Sequence, residues 1–462
     1  MKDTNMKIKN IILLVLVFAM TNLVSNSQIP GDKSKYYNYG SRFFAEIHLL
    51  PSDSPDSVKA VMLIKISYST LSFIKPQDEV SILDQFVAYP FVEAELKDSQ
   101  GIIRELIEWR DTISTKDYNA TMARDIYLNG ISAANLNNDN YSANIKLYDQ
   151  NQKVVKEIKI PEIKKMEFYK NESMTKPILA KRLYNEIEEK ESFVPYVYDN
   201  RIPFSDDEPV LLTSVSYNDD FPSYDYQIKL DSEDITGLEW KNPTKLYGRI
   251  TPIENVSIDY LKKDENGMVY EINQRNNTIN DMKLGVLVIE FPKENMVPGT
   301  YTLTLTKTNT NDTLTHSFKV KWMDMPLSLY NYKYAAEMMY YILTVEELDE
   351  LDDGSSDEVR LKLWYYWINN DPTPLTLYNE AMEEYFDRVD YAYYNFKTYT
   401  QGDGAKTARG KIYILKGEPK EIIRNINDGI IIEKWLYPNL KQEFVFSTEN
   451  NDNFDLKEIN EI

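Results

Sequence analysis

The sequence predicts a mainly β protein with a C-terminal α+β part. It reads as two antiparallel β-sandwich, immunoglobulin-like modules, then a helical segment and a small antiparallel sheet. Three observations carry this. Apolar residues recur with period two between about residues 36 and 322, Asp, Asn and Gly punctuate those runs, and the period moves toward 3.6 beyond Pro326. Period two places one face of a strand in a core and the other in water, whereas a period near 3.6 marks a helix face.

The chain opens on Lys2, Lys7 and Lys9, an apolar run from Ile11 to Met20, and small residues at Ser25 and Ser27. A basic start, a short apolar core and a small-residue site make a signal peptide over residues 1–27, with Gln28 as the new N-terminus. The run is too short to span a bilayer, which takes roughly 20 residues, and no later segment is apolar enough to cross one. Removing the leader leaves about 435 residues, enough for three domains of about 150 residues. Export with no cysteine in 462 residues excludes disulfides and thiolate chemistry and points to a bacterial envelope, periplasmic or extracellular. The net charge of −21 repels phosphate backbones, so nucleic acid is not an expected partner.

The first sandwich is placed at 28–167. Met62, Ile64, Ile66 and Tyr68 alternate with Leu63, Lys65 and Ser67; Val92, Ala94 and Leu96 alternate with Glu93 and Glu95; Tyr141, Ala143, Ile145 and Leu147 alternate with polar neighbours. Asp98-Ser99-Gln100-Gly101 and Asp149-Gln150-Asn151 supply turns between such runs. Residues 168–205 break the rhythm and read as a connecting segment, with a brief helical look over Lys181–Lys190 and one strand lent back to the first module. A second immunoglobulin-like sandwich follows over 206–323. Its strands include Leu211 to Tyr217, Tyr226 to Leu230, Val256 to Tyr260 and Tyr301 to Leu305, and Asp264 to Gly267 makes a hairpin turn by composition.

From 324 to 462 the sequence reads as an α+β domain. Helices are predicted over Tyr332–Leu343, Ser356–Ile368 and Leu377–Phe396, the second opened by a Ser355/Glu358 capping box. Short strands are predicted at Lys411–Leu415, Ile430–Tyr437 and Glu443–Ser447.

The most specific residues lie in this last part. Trp367 precedes Asp371-Pro372-Thr373-Pro374 and Asn379-Glu380; Tyr385 to Ala392 carries Arg388; Gly404, Thr407, Arg409, Gly410 and Tyr413 follow; Gly417-x-Pro419 and Glu433-x-Trp435-x-Tyr437 end the series. This ordered set over about 325–462 resembles the GWxTD-domain family, a domain of unknown function in exported proteins of Bacteroidota and related phyla. The naming motif itself is altered, with Ala405 where the family has tryptophan and Ala408 where it has aspartate. The resemblance implies an architecture and a location, and no activity.

The residues point to no catalytic or cofactor-binding set. Arg409 in a Gly-bounded loop could contact a carboxylate or phosphate; a loop-pinning ion pair is the simpler role. Thr407 lacks a nearby base and suits a turn or cap. The glycines at 402, 404 and 410 lack the strand–loop–helix order of a phosphate cradle. The two histidines, His48 and His316, fall in different modules, which excludes a histidine-rich zinc site and argues against a serine–histidine–aspartate triad. Acidic clusters at Asp206-Asp207-Glu208, Asp219-Asp220 and Asp352-Asp353 could hold calcium but lack the spacing of a dedicated loop. Two roles remain: a non-catalytic envelope protein that binds a protein or glycan, or a surface enzyme acting on polysaccharide or peptide through the C-terminal domain. The second expects a concave site with a carboxylate of raised pKa.

Overall fold

A computed structural model of the chain describes residues 42–75, 85–123, 126–166, 173–185, 190–206, 208–218, 222–233, 246–261, 268–275, 282–310, 312–323, 325–427, 429–449 and 453–462. The leader, the Asp264–Gly267 turn, Asp207 and the Asp219-Asp220 pair lie outside them. The described residues before 324 form one compact unit and those after it a second.

In the first unit, residues 43–163 form β1 (Phe43–Pro51), β2 (Ser57–Ser67), β3 (Phe86–Ala88), β4 (Phe91–Asp98), β5 (Ile103–Arg110), β6 (Ile113–Thr115), the single turn α1 (Tyr118–Thr121), β7 (Tyr127–Asn137), β8 (Tyr141–Tyr148) and β9 (Val154–Ile163). They make a three-stranded sheet in the order β1-β2-β7, a four-stranded sheet β5-β4-β8-β9, and a short β3-β6 ribbon. All pairings in these sheets are antiparallel. Alternation does what the sequence predicts. Ala60, Met62, Ile64 and Ile66 of β2 share a core with Val92, Ala94 and Leu96 of β4 and with Ile145 and Leu147 of β8. The predicted turns form as well: the Asp98 carboxylate accepts from Gln100 N and Ile102 N at 2.9 and 3.0 Å, and Gly101 takes the positive φ of 79° that closes the turn.

The second face of β2 differs from expectation. Val61 and Leu63 are fully buried, together with Leu50 and Ile131, in a core completed by Ile178, Phe193, Leu212, Tyr270 and Val286. The three-stranded sheet is therefore covered on both sides, by the four-stranded sheet and by strands that follow residue 173.

Those strands are β10 (Ser173–Met174), β11 (Ile178–Asn185), β12 (Lys190–Pro195), β13 (Arg201–Pro203), β14 (Pro209–Tyr217), β15 (Tyr224–Glu233), β16 (Leu246–Ile250), β17 (Ile253–Glu254), β18 (Val256–Leu261), β19 (Val269–Gln274), β20 (Lys283–Glu290), β21 (Gly299–Lys307) and β22 (Thr313–Lys321). One sheet runs β17-β20-β14-β11-β12-β19-β18, with β10 also on β14; the other runs β13-β22-β21-β15-β16. All nine residues of β14 are buried, as a strand covered on both faces must be. Phe291, just past β20, packs edge-on against Tyr301 and Phe318 of the five-stranded sheet, with centroids 5.1 and 5.7 Å away.

The segment 168–205, read from sequence as a connection with a helical stretch, is instead a source of strands. β11 sits between β12 and β14, so its strands go to the later sheets and not to the first sandwich. Its Lys181 and Arg182 look helical by charge, but each reaches an acid outside its own strand: Lys181 meets Asp206 at 2.6 Å and Arg182 meets Glu290 at 2.8 Å. Ile178 and Ala180 meanwhile fill the core, and tertiary burial overrides local propensity.

The second unit contains α2 (Tyr332–Met338), α3 (Val345–Asp352), α4 (Ser356–Asn369), α5 (Glu380–Asn395) and α6 (Ala408–Lys416), then the antiparallel sheet β23 (Glu421–Asn427), β24 (Ile430–Tyr437), β25 (Gln442–Thr448) and β26 (Asp455–Glu461). The Ser355/Glu358 capping box forms, and Thr344/Glu347 makes a second at α3. Replacing Ser355 with alanine leaves a helix N–H unpaired and should cost about 1 kcal/mol of stability in a denaturant titration; an unchanged midpoint would remove the cap from the account.

One expectation for this unit is wrong. Lys411–Leu415, read as a strand, lies inside α6. Its β-branched and aromatic residues suit a sheet locally, but the flanks specify a helix. Thr407 caps the start by accepting from Gly410 N, and Gly417, at φ 78°, ends it.

Candidate functional site

The motif residues of the second unit are brought together, and they bond to one another. Trp367 is 5% exposed, with its ring 5.6 and 5.9 Å from those of Tyr385 and Phe386. Its carbonyl accepts from Asn379 Nδ2 at 2.7 Å, and Asn379 Oδ1 caps α5 through Met382 N at 2.8 Å. Within Asp371-Pro372-Thr373-Pro374 the Asp371 carboxylate accepts from Thr373 N at 2.8 Å, and Thr373 donates to Glu380 at 2.6 Å. The proline-rich turn is thus tied to the first turn of α5.

At the altered motif, Gly404 and Ala405 are buried in a short 3-10 turn. Thr407 Oγ1 donates to Gly404 O at 2.8 Å while it caps α6. Its hydroxyl is committed in both directions, the cap its sequence suggested. Replacement by alanine should cost about 1–2 kcal/mol, read as a lower denaturation midpoint; a midpoint unchanged within error would contradict the cap.

Arg409 stands on the first turn of α6, in a helix and not in a loop before a strand. Its guanidinium is 4.0 Å from the Phe454 ring centre and 5.3 Å from that of Phe396, and Nη1 is 3.6 Å from Glu433 Oε2. Glu433 is 2% exposed; it also receives Arg424 at 2.6 Å and Trp435 Nε1 at 2.7 Å. Burial pulls the Arg409 guanidinium below its usual range, opposed by the Glu433 charge. Trp435 itself is fully buried. The Tyr413 ring stacks on Tyr391 at 4.2 Å. Arg388 pairs with Glu384 one turn earlier and lies against Gly417, where a Cβ would come within 3.1 Å of Nη2. Tyr437 OH donates to Gly417 O at 2.8 Å, and Pro419 beside it is buried.

Two carboxyls in this unit carry raised pKa values that sequence reasoning did not single out. Burial pushes Asp390 up to about 6, although Leu327 N and Ser328 N donate to it. Burial also pushes Glu418 up to about 7. Both groups hold their protons longer in the folded chain than in the unfolded one. Their contribution is therefore complete below pH 4 and is lost as pH climbs through 6 and 7. For Asp390 the span corresponds to about 3 kcal/mol. Thermal melts of the wild type should fall in this window, and Asp390→Asn, which cannot titrate and keeps an acceptor for one of the two N–H groups, should start from a lower melting temperature and flatten the fall. An equally steep fall in the variant would reject the assignment.

The first unit holds a second cluster. Both histidines of the chain converge near Glu46, although they lie in separate strand-rich stretches of the sequence. His48 Nε2 is 3.1 Å from Glu46 Oε2, and His48 Nδ1 is 3.0 Å from Tyr270 OH. Glu46 Oε1 accepts from Asn200 N at 3.3 Å, and His316 Nε2 is 3.0 Å from Asn200 Oδ1. Burial alone would raise the Glu46 carboxyl, but the bonds and charge of His48 hold it below its usual value. Burial pulls His316 down to about 4, so it is neutral near pH 7. Glu46 and His48 border a cavity of about 780 Å³ between β1, β9 and residues 173–179. The Glu46/His48 spacing puts the two on one strand face, which sequence could reveal; nothing in sequence links them to 200, 270 or 316. Among the described residues no group of three or more acidic or histidine side chains could hold a metal ion, and no helix is long and apolar enough to cross a membrane.

No curated protein matches the chain closely enough to count as a relative. The family model of the GWxTD domain matches residues 299–461. That match begins earlier than the motif series, because it takes in β21 and β22. The chain is a GWxTD-domain-containing protein, with the domain over residues 299–461.

Proposed function

We propose that this chain is an exported protein of the bacterial envelope, periplasmic or extracellular, that binds a protein or glycan and does not catalyse a reaction. One observation carries the reading. Thr407, Glu433 and Trp435 spend their polar groups on partners inside the domain, and the Arg409 guanidinium lies against Glu433 and two aromatic rings with its Nε making no hydrogen bond. A motif used this way stabilises a scaffold, and recognition then falls to exposed edges and clefts. The basic-apolar-small leader and the lack of cysteine support export, and the charge of −21 disfavours nucleic acid.

The test is in-cell crosslinking of the tagged chain, followed by fractionation, pulldown and N-terminal sequencing. A chain beginning at Gln28, outside the cytoplasm and crosslinked to a discrete partner, is the expected result. A full-length cytoplasmic chain would overturn export, and no crosslinked species would overturn binding.

A second reading, a surface enzyme acting on polysaccharide or peptide, has Glu418 behind it. A carboxyl held near pKa 7 is suited to general acid–base work. Glu418→Gln, assayed for turnover of cell-wall glycan and peptide by the intact chain, decides it: loss of a measurable activity would favour the enzyme.

A further inference from the structure

We propose that the cleft beside Glu46 is a docking groove for an extended peptide, which adds as a strand to the edge of β1 that no described strand pairs with. This deepens the reading of the chain as a binding protein and rests on it. β1 is the outer strand of the β1-β2-β7 sheet. Ser67 N donates to Arg42 O at 2.9 Å, which makes these two a hydrogen-bonded pair. The β1–β2 register continues from there without a bulge, and hydrogen-bonded pairs alternate along an antiparallel ladder. Phe44, Glu46 and His48 therefore bond to β2. Ala45, Ile47 and Leu49 turn their N–H and C=O groups out of the sheet, and all three line the cavity.

The dimensions suit a short strand. Residues 45–49 span about 17 Å of extended chain. The cavity, about 780 Å³, falls within the roughly 300–1,000 Å³ of ligand sites. Its far wall is β9, the outer strand of the four-stranded sheet. The two edges differ in their protection. β9 carries Lys156, Lys159 and Pro161, residues that blunt an edge, whereas β1 has neither lysine nor proline from Phe43 to Leu50. An edge inside a cleft admits one inserted chain and excludes a broad sheet.

The walls also set the chemistry of the peptide. Alternate side chains of an added strand point to opposite sides. One side is apolar, where Ile47, Leu49, Ile158 and Ile160 all line the groove and pack against the same core. The other holds Glu46 and His48, with the exposed Lys176 close enough to act on the Glu46 charge. Lys159, Lys164, Lys165 and Lys176 line the groove against Glu46, Glu162 and Asp199, so its lining is slightly basic in a chain whose net charge is −21. The fitting partner is a protein segment that alternates apolar with acidic residues.

The probe is a fluorescein-labelled alternating valine–glutamate octapeptide, titrated into the mature chain and read by anisotropy. Saturable binding is expected. The same octapeptide, N-methylated on the three amides that face Ala45, Ile47 and Leu49, should bind about a hundredfold more weakly, since each lost hydrogen bond is worth about 1 kcal/mol. Ile47→Pro removes one outward N–H and no bond to β2, and should weaken binding about fivefold. Lys176→Gln changes only an exposed side chain and should lessen the salt dependence of binding; it keeps the test alive if Ile47→Pro folds poorly. Hydrogen exchange at Ala45, Ile47 and Leu49 should slow when peptide is bound. Absence of saturable binding, or equal binding of the methylated peptide, would overturn the inference. So would a dimer of the chain that Ile47→Pro dissociates. If the octapeptide fails while in-cell crosslinking still captures a partner, only the groove is rejected; if crosslinking captures nothing, the binding reading fails with it.

Discussion

Glu433→Ala is expected to destabilise the C-terminal unit by about 3–5 kcal/mol, the range for removing one partner of a buried ion pair. The side chains concerned are 12% exposed for Arg409 and 3% for Glu433. Without the carboxylate, Arg409 keeps its charge between Phe396 and Phe454 with no anion beside it, and Trp435 Nε1 loses its acceptor. The Arg424 contact contributes little, because that side chain is 56% exposed. Domains are stable by only about 5–15 kcal/mol, so the loss would unfold a large fraction of the molecules near physiological temperature. Arg409→Met keeps the packing between the rings and removes the charge. The double variant should therefore lose less than the two single changes added together, and urea titrations of all four proteins measure the difference. A loss below about 1 kcal/mol for Glu433→Ala would mean that the pair is not buried in solution.

Gly410→Ala should be comparably damaging, although alanine normally favours a helix over glycine by about 1 kcal/mol. The sign reverses because of what stands opposite. A Cβ at Gly410 would lie 2.1 Å from Gly404 O and 2.9 Å from Ala405 O. At Gly404 a Cβ would lie 2.2 Å from Ala392 O and 2.7 Å from Lys397 N. These are backbone atoms and cannot rotate away, so α6, the 404–406 turn and α5 would have to separate. Overpacking of this kind costs about 1–3 kcal/mol and sometimes more, and the helix preference is too small to offset it. Gly402, with nothing within 4 Å of its Cβ position, is the control. Thermal melts in which Gly410→Ala matches Gly402→Ala would show that the close approach is absent.

Much of this was legible before any coordinates. The alternation in β4 and β8 gave their buried faces correctly, because each strand has one wet side. The Ser355/Glu358 pair located a helix start to the residue. Thr407 announced a cap, although the helix it caps was taken for a strand. Lys411 to Leu415 has strand-like composition, and only the Thr407 and Gly417 flanks contradict it. β2 and β11 were misjudged for a related reason. Val61 and Leu63 of β2, and Ile178 and Ala180 of β11, are covered by segments far away in sequence, and Lys65, Lys181 and Arg182 beside them give no warning of that burial. The Glu46 cluster was hidden most deeply: residues 46, 200, 270 and 316 meet only when separate sheets stack. The motif series, by contrast, was readable in order, since its spacing reflects contacts made within one domain.

The double-sided burial of β2 has a mechanical outcome. A sheet that lends one face to each of two cores cannot be removed from either without stripping the other. A fragment ending at 167 would present Val61, Leu63 and Ile131 to water, and would be prone to clump instead of standing alone as a tidy half. The stretch from residue 42 to 323 should therefore melt in a single step and resist clipping as a whole. Swapping its front portion between related chains would succeed only if Ile178, Phe193 and Leu212 travelled with it.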